Sequence, residues 1–313
     1  MDTVDAERTS WPPKWRADAP VGEAARRPSG QSLEQHSQLP SGQPSAQLAL
    51  QSTIAGSGDA LLHVFSVATR LTPRVSIFLK QCRFWGFNCT ILGEGMNWAP
   101  SPSNWDPLMD AYVAALRQLP ASALVITGDA QDVFIQAEPA RVAAEYDVAA
   151  PGRRVLACLE THCPREGECA NLTTSNAAGI AGLSHLNGGF LMGPAAKVAA
   201  MWESARGGDP QINLGRFAAA NPDMVSVDVA QQVCATVSRF ESVPDHDYYE
   251  LVSIPERRAF GLHVRKTLWN THTKHSPCFV HCPGTQERLR QTKKKARLIF
   301  YDLLQGALLP VPS

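Results

Sequence analysis

The chain has 313 residues with 29 basic and 29 acidic side chains, and 44% of its residues are hydrophobic. The balanced charge argues against a broad nucleic-acid-binding face, and the length suits one large α/β domain or two small ones. We see no apolar run long enough for a transmembrane segment and no charged N-terminus followed by an apolar core, so neither a membrane span nor a secretory leader is predicted.

The N-terminal stretch has a different composition from the rest of the chain. Residues 1–58 are rich in Pro, Ser, Gln and Gly without apolar periodicity, which predicts a disordered tail, with a single domain over residues 59–313. Leu61–Thr69 is predicted as the first buried strand, Arg74–Trp85 as a helix and Asn88–Leu92 as the second strand. Together they form a β-α-β unit.

A pair of aspartates follows the most apolar stretch of the central region. An amphipathic helix is predicted at Leu108–Leu119, and the run Leu124–Ile126 has the length of a buried parallel strand. Asp129 and Asp132 come directly after it. Buried unpaired carboxylates are costly, so this pair fits a strand end where a hard cation can sit between the side chains. The alternative is a polar turn in which Asp serves as a cap.

The second half of the chain continues the alternation of strands and helices. A turn is expected at Asn187–Gly189, whose two glycines let the backbone pass close to a ligand. The predicted elements are, in order, a helix from Pro139, a strand at Arg154–Leu159 running into Glu160, a strand after Gly189, a helix at Pro194–Trp202, a largely helical segment at Val225–Phe240, a strand at Cys278–His281 and a basic helix at Arg288–Leu304.

This alternation predicts an α/β fold with a mostly parallel central sheet flanked by helices. The ends of the strands carry Thr69, the Asp129/Asp132 pair, Glu160 and His281, which should converge on one edge of the sheet. Two carboxylates and a histidine suit Mn²⁺ or Mg²⁺, with further oxygens from a diphosphate. His281 is otherwise a core or surface histidine.

The eight cysteines indicate an oxidising compartment. Two N-glycosylation triplets begin at Asn88 and Asn171, and with the cysteines they favour the lumen of the endoplasmic reticulum or Golgi, or secretion. Cys163 and Cys169 lie close enough in sequence for a local disulfide. His275, Cys278, His281 and Cys282 form a weak zinc pattern, and a disulfide through Cys278 or Cys282 is favoured over it.

Several short motifs together resemble a known family, the glycosyltransferase domain of the procollagen-lysine hydroxylase/glycosyltransferase enzymes, which has a nucleotide-sugar-binding GT-A fold. The resemblance covers about Leu61 to Gly284. The motifs that carry it are Val67-Ala-Thr69, the Glu94-Gly-Met-Asn-Trp98 loop, Asp129-Ala-Gln-Asp132, Glu160 with Cys163-Pro164, Leu186-Asn-Gly-Gly-Phe190, and Val280-His281 with Gly284.

The resemblance implies roles for particular residues. Asp129, Asp132 and His281 would hold Mn²⁺ or Mg²⁺. The residues expected to line the nucleotide site are Val67, Thr69, Trp98, Gln131 and Gly284, with Trp98 otherwise an ordinary loop residue. The residues expected to border the sugar and the acceptor are Glu160, Asn187, Gly188 and Gly189.

The chain also departs from the family pattern. Gln131 stands where the family has an aromatic residue against uracil, and Glu287 stands where it has a lysine for the diphosphate. The family's Asp-rich stretch is reduced to Asp223, Asp228 and Gln231-Gln232. Asp228 is the expected catalytic carboxylate, with capping of a helix as the alternative.

The resemblance implies a metal-dependent glycosyltransferase that moves galactose or glucose from a UDP-sugar to a hydroxyl group of a protein or glycan. A non-catalytic GT-A-like scaffold and another nucleotide-dependent transferase, such as a nucleotidyltransferase, are the rival interpretations. No hydroxylase activity is expected, since no iron-binding His-x-Asp pattern stands out. The sequence gives no oligomeric state.

Overall fold

A computed structural model describes residues 62–96, 104–161, 163–165, 167–172, 183–237, 249–258 and 261–283. Several sequence predictions fall outside these ranges: the N-terminal tail over residues 1–58 and the domain boundary after it, Trp98, Gly284, Glu287, and the helix at Arg288–Leu304. No helix among the described residues combines the length and the apolar character that a membrane crossing requires.

Strands and helices alternate through most of the described part of the chain. In order they are β1 (His63–Val67), α1 (Pro73–Trp85), β2 (Asn88–Leu92), α2 (Asp106–Leu116), β3 (Leu124–Gly128), β4 (Val133–Ile135), α3 (Pro139–Ala149), β5 (Val155–Glu160), β6 (His185–Pro194), α4 (Ala195–Ser204), α5 (Pro210–Ala220), β7 (Val225–Val227), β8 (Cys234–Thr236), β9 (Tyr249–Arg258), β10 (Gly261–Asn270) and β11 (Phe279–His281).

Six of the strands form the central sheet, in the order β2-β1-β3-β6-β5-β7. The pairs β1/β2, β1/β3 and β5/β7 are parallel, whereas β6 runs antiparallel to both of its neighbours. Five strands therefore share one direction. The predicted fold class, α/β with a mostly parallel central sheet flanked by helices, is confirmed.

The core lies on both faces of this sheet. Val125 and Ile126 are neighbours on β3, and each is packed into a different buried cluster, as the alternation of side chains along a strand requires. One cluster includes residues of α1 and α3, and the other includes residues of α2, α4 and α5. The sheet is thus a middle layer between two layers of helices.

A smaller sheet with the order β4-β11-β8 joins distant parts of the chain. β11 is antiparallel to β4 and parallel to β8. The hairpin of β9 and β10 is tied to β4 through Gln136, whose Oε1 accepts from the Leu268 amide at 2.7 Å and from the Thr267 hydroxyl at 2.9 Å. This sheet brings the last described strand to the site described below.

Local signals explain α1 well. Thr72 is its N-cap and accepts a hydrogen bond from the Val75 amide at 3.3 Å, and Pro73 follows at the first helical position. Gly86 ends the helix with φ at +83°, a conformation that favours glycine. A disulfide between Cys82 and Cys89 then joins the helix to β2.

The prediction of a helix over Val225–Phe240 is wrong for the described part of that segment, which contains β7, a turn and β8. Gln231 lies in this turn with φ at +52°, a left-handed conformation that a continuous helix does not contain. Helix α5 and the β9-β10 hairpin have no counterpart among the sequence predictions. The sequences of α5 and of this hairpin show only a weak apolar periodicity.

The cysteine predictions are partly confirmed. The local disulfide Cys163–Cys169 is present. The expected disulfide through Cys278 or Cys282 is wrong, because both cysteines are buried and neither forms a disulfide. A third disulfide, Cys158–Cys234, instead joins β5 to β8 across the buried interior.

Candidate metal centre

Asp129 begins a turn that three neighbouring elements hold in place. The Asp129 amide donates to the Gly189 carbonyl of β6 at 3.2 Å, and the Ala130 amide donates to the Ser66 hydroxyl of β1 at 2.8 Å. The buried Tyr112 of α2 donates its hydroxyl to the Gly128 carbonyl at 3.2 Å. The turn after β3 therefore has a fixed backbone, and it ends with Asp132 at the start of β4.

His281 reaches this turn through the smaller sheet. In the β4/β11 pairing His281 lies opposite Val133, the residue that follows Asp132. The Cys282 amide donates to the Asp132 carbonyl at 2.8 Å, so the pairing extends one residue past the strand. Main-chain hydrogen bonds thus bring the histidine close to the aspartate turn.

The three predicted metal ligands form a cluster. His281 Nε2 is 3.2 Å from Asp132 Oδ1 and 3.7 Å from Asp129 Oδ2. One ligand atom from each residue lies within 4.8 Å of the others. The side chain of His281 is 3% exposed and that of Asp132 is 12% exposed, whereas that of Asp129 is 53% exposed. The cluster is therefore buried on one side and open to solvent at Asp129.

The cluster fits a small divalent cation. An ion about 2.1 Å from each ligand holds neighbouring ligands in an octahedron about 3 Å apart, which is close to the 3.2 Å between His281 Nε2 and Asp132 Oδ1. Nε2 is buried and makes no hydrogen bond of good geometry within the described residues. Two carboxylate oxygens and one imidazole nitrogen suit a hard or borderline cation such as Mg²⁺ or Mn²⁺.

The electrostatics of the cluster are compatible with a bound cation. Desolvation and then the negative charge of Asp132 raise the pKa of Asp129, although His281 acts in the opposite direction. Because half of the Asp129 side chain is open to solvent, water weakens both effects. Burial by itself lowers the pKa of His281, but the charge of Asp132 and smaller contributions from Asp129 and Glu160 outweigh it and the pKa is raised. A bound cation relieves the repulsion between the carboxylates.

The segment predicted to border the sugar lies on β6 and contacts the histidine, and its contact with a sugar remains a prediction. Asn187 and Gly189 lie on β6 beside the cluster, and Asn187 Oδ1 is 2.8 Å from His281 Nδ1. Asn187 is 2% exposed, so little of its side chain is open to a ligand. Gly188 points away from the cluster, since a Cβ built there meets Leu214 of α5 at 3.5 Å.

The predicted nucleotide-binding residues of β1 lie at the same edge. Parallel pairing of Phe65 with Thr127 places Val67 and Thr69 level with the turn that begins at Asp129. The Thr69 carbonyl accepts a hydrogen bond from the Gly95 amide at 3.0 Å, which closes the loop after β2 over the end of β1. Gln131 is half-buried within the turn between the two aspartates. Their contact with a nucleotide remains a prediction.

Glu160 ends β5 at this edge and is 4% exposed. Its Oε1 accepts a hydrogen bond from the Gln211 side chain of α5. Sequence reasoning missed Gln211, although Asp209-Pro210 is a recognisable helix start: Asp209 caps α5 by accepting from the amides of Gln211 and Ile212 at 3.0 and 3.3 Å. The helix start holds Gln211 against the carboxylate.

Asp228, the predicted catalytic carboxylate, lies in the turn between β7 and β8. Asp228 is 2% exposed, and its two carboxylate oxygens accept from three successive main-chain amides, those of Gln232, Val233 and Cys234, at 2.7 to 3.1 Å. These bonds hold the turn between β7 and β8. Asp228 therefore anchors that turn, and its catalytic role remains a prediction.

Comparison with known proteins gives structural neighbours only. No family model matches the chain, and no curated protein matches it. Among solved structures it is similar to a glycosyltransferase involved in the glycosylation of the major capsid of PBCV-1, with 12% identity and a TM-score of 0.41 over 71% of this chain and 93% of that one. It is also similar to mouse xyloside xylosyltransferase 1 in its apo form, with 12% identity and a TM-score of 0.38 over 60% of this chain and 90% of that one.

Proposed function

We propose that this protein is a metal-dependent glycosyltransferase of the GT-A type, which moves a hexose such as galactose or glucose from a UDP-sugar to a hydroxyl group of a protein or glycan. The observation that carries the proposal is the cluster of Asp129, Asp132 and His281 at the carboxyl edge of the mostly parallel sheet. In open α/β sheets this edge is where ligands bind. The family resemblance of the surrounding motifs supplies the reaction class.

The cluster suits the leaving group of such a reaction. A Mn²⁺ or Mg²⁺ ion held by these three residues would offset the charge that develops on a departing nucleotide diphosphate. The exposed carboxylate of Asp129 faces the open side, where diphosphate oxygens can complete the coordination. Asp132 and His281 form the buried side and hold their positions through main-chain pairing.

Other residues of the edge would bind the remaining parts of the donor and the acceptor. Val67, Thr69 and Gln131 lie where a nucleotide next to the ion can contact them. Glu160 is a carboxylate at the same edge whose orientation is set by Gln211, and it would accept hydrogen bonds from sugar or acceptor hydroxyls. With Asp228 committed to the main chain, Glu160 is the carboxylate we propose for positioning the acceptor.

The proposed compartment is the secretory lumen or the extracellular space. Support comes from the three disulfides, because disulfides persist in oxidising compartments and are rare in the cytosol. Manganese-dependent transfer to a protein or glycan hydroxyl is compatible with that environment.

The rival function of a non-catalytic scaffold has one observation in its favour. Gln131 occupies the position between the aspartates where the resembling family has an aromatic residue, which weakens the expected stacking on uracil. A chain that holds the cation but binds nucleotide poorly would act as a binding or scaffold protein. Nucleotide titration separates the two functions.

The test is a calorimetric titration of the full chain with UDP, in the presence of Mn²⁺ and after metal removal by a chelator, with ADP as the control nucleotide. We expect UDP to bind only with Mn²⁺ and more tightly than ADP. Release of UDP from UDP-galactose and UDP-glucose is then measured. Absence of UDP binding in Mn²⁺ would exclude the transferase function, and binding without release of UDP from either sugar nucleotide would favour the scaffold function.

A further inference from the structure

We propose that Asn187 and Gly189 are positioning residues for His281: the Asn187 carboxamide fixes the imidazole tautomer whose Nε2 lone pair faces the cation, and Gly189 leaves the space that the ring occupies. The inference rests on the metal site of the proposed function. It gives this part of strand β6 a task inside the protein, in place of the contact with sugar that the sequence predicts.

The orientation of the Asn187 side chain follows from a main-chain hydrogen bond. The Gly189 amide lies 2.8 Å from the atom assigned as Asn187 Oδ1. A backbone N–H can only donate, so the atom that it contacts must be the carboxamide oxygen and cannot be the NH₂ group. The amide flip that is ambiguous for many asparagines is therefore settled here by the local chain.

The tautomer of His281 follows from the same oxygen. Asn187 Oδ1 is also 2.8 Å from His281 Nδ1. A carboxamide oxygen only accepts, so Nδ1 must carry a hydrogen and donate it. A neutral imidazole has one N–H, and its other nitrogen, Nε2, then carries a lone pair. Nε2 is the atom that faces the carboxylates of Asp132 and Asp129 at 3.2 and 3.7 Å.

This tautomer is unfavourable in the absence of a cation. A lone pair on Nε2 directed at two carboxylates is repelled by them. The opposite tautomer would instead donate a hydrogen bond from Nε2 to Asp132, which gives both Nε2 and the Asp132 carboxylate a partner. That opposite tautomer blocks metal binding, because the hydrogen occupies the ligand position. By accepting from Nδ1, Asn187 selects against the blocked form and keeps the site ready for a metal ion.

The ring also needs the space above Gly189. A Cβ built on Gly189 would lie 2.2 Å from His281 Cε1 and 2.8 Å from each ring nitrogen. All three separations are shorter than the contacts that real Cβ atoms make. His281 lies on a buried strand, and its side chain is only 3% exposed, so the ring has little room to move. Any larger residue at this position must displace the imidazole from the cluster.

Gly189 links the two halves of the site through its main chain as well. Its carbonyl accepts from the Asp129 amide at 3.2 Å, and its amide donates to Asn187. One residue of β6 thus fixes the start of the aspartate turn and the carboxamide that orients the histidine. We infer that the distance between Asp129 and His281 is set by this residue.

The experiment uses the full chain and two independent readouts. The tautomer of metal-free His281 is read from ¹⁵N–¹H correlations of histidine-labelled protein, at a pH above the titration of the ring, with the signal assigned by comparison with His281→Gln. The affinity for Mn²⁺ is measured by calorimetry. The variants are Asn187→Leu, which has no acceptor, Asn187→Asp, which keeps one, and Gly189→Ala. The matched control is Gly215→Ala, a buried glycine of α5 where a new Cβ finds its nearest atom at 3.9 Å.

We expect the native ring to carry its hydrogen on Nδ1 and Asn187→Leu to move it to Nε2. Loss of such an outer partner lowers metal affinity by about 10- to 100-fold. Asn187→Asp should keep the Nδ1–H form, Gly189→Ala should weaken Mn²⁺ binding at least as strongly as Asn187→Leu, and Gly215→Ala should leave it unchanged.

Two results would overturn the inference: an Nε2–H signal in the native protein, or a folded Asn187→Leu variant with native tautomer and native affinity. If Gly189→Ala does not fold, as judged by circular dichroism, Asn187→Leu decides alone. If the native protein binds no Mn²⁺, the proposed metal site fails, while the tautomer measurement on the metal-free chain still decides the role of Asn187.

Discussion

Cys282 donates its main-chain amide to the carbonyl of Asp132 at 2.8 Å, and this bond joins the end of β11 to the start of β4. It places His281, the proposed metal ligand, one residue away from a fixed point on the aspartate turn. The geometry of the candidate centre is therefore set by main-chain pairing, and side-chain substitutions within the cluster should alter metal binding with little effect on the fold.

The first prediction concerns Asp132. Asp132→Asn should reduce Mn²⁺ affinity by more than about 100-fold, because loss of an outer-shell partner alone costs about 10- to 100-fold. Since the charge of Asp132 helps to raise the pKa of Asp129, its removal relieves repulsion in the metal-free protein. Calorimetry with Mn²⁺ and urea unfolding of the metal-free variant check both effects, and a marked loss of stability would contradict the second.

The second prediction is the direction in which pH changes metal binding. His281 must be neutral to bind a cation, and the pKa of His281 is raised above its ordinary value by the carboxylates around it. A proton therefore competes with the metal up to a higher pH than at an ordinary histidine, and Mn²⁺ affinity should rise as the pH rises through neutrality. Titration at several pH values in buffers that do not bind the metal measures this dependence. An affinity independent of pH would argue against His281 as a ligand.

The third prediction separates a structural Asp228 from a catalytic one. Asp228→Ala leaves three main-chain amides, two of them in buried hydrogen bonds, without an acceptor, and an unsatisfied buried donor costs about 1–3 kcal/mol. The free energy of unfolding should therefore fall by about 3 kcal/mol or more, as measured by urea denaturation. Metal affinity of the folded fraction should remain native. Unchanged stability with lost transferase activity would restore the catalytic role.

The fourth prediction compares two disulfides. Cys158–Cys234 closes a loop with a sequence separation of 76, and Cys82–Cys89 one of 7. In the chain-entropy model, closing these loops stabilises the folded state by about 4 and about 2 kcal/mol, respectively. The double variant Cys158→Ala/Cys234→Ala should thus lose more stability in urea unfolding than Cys82→Ala/Cys89→Ala. Equal losses would show that native-state packing outweighs loop entropy.

The fifth prediction concerns the two cysteines that form no disulfide. Cys278 and Cys282 are buried, and burial raises the pKa of Cys278 to about 12. Both thiols should be unreactive towards a thiol reagent in the folded chain, and two equivalents per chain should react after denaturation without reductant. A larger number would mean that one of the three disulfides is absent.

Much of the site could be predicted from the sequence because its parts carry local signals. The apolar run before Asp129 marks the end of a buried strand, and Phe279-Val280 before His281 does the same for β11. Parallel strands end at one edge, so their polar terminal residues were expected to meet. The carboxylates and the histidine do meet, but His281 arrives on β11 of the smaller sheet, antiparallel to β4, and not on a parallel strand of the central sheet.

The remaining features depend on pairings between distant residues. The sequence predicts Asp228 as a catalytic carboxylate, with capping of a helix as the alternative, and does not indicate that its carboxylate accepts from three amides of a turn. The contact of Asn187 with His281 joins two segments of the chain that share no local pattern. Nothing in the sequence near Asn187 distinguishes support of a histidine from contact with a ligand.

The placement of His281 on the last described strand has a consequence for biosynthesis. The aspartate turn emerges from the ribosome in the first half of the chain, and β11 emerges only after the β9-β10 hairpin has been made. A nascent chain therefore has two carboxylates but no histidine to complete the cation site. Coordination by all three residues therefore requires that the small sheet has formed. A premature stop before β11 would yield a chain that contains every strand of the central sheet but has an incomplete candidate metal centre.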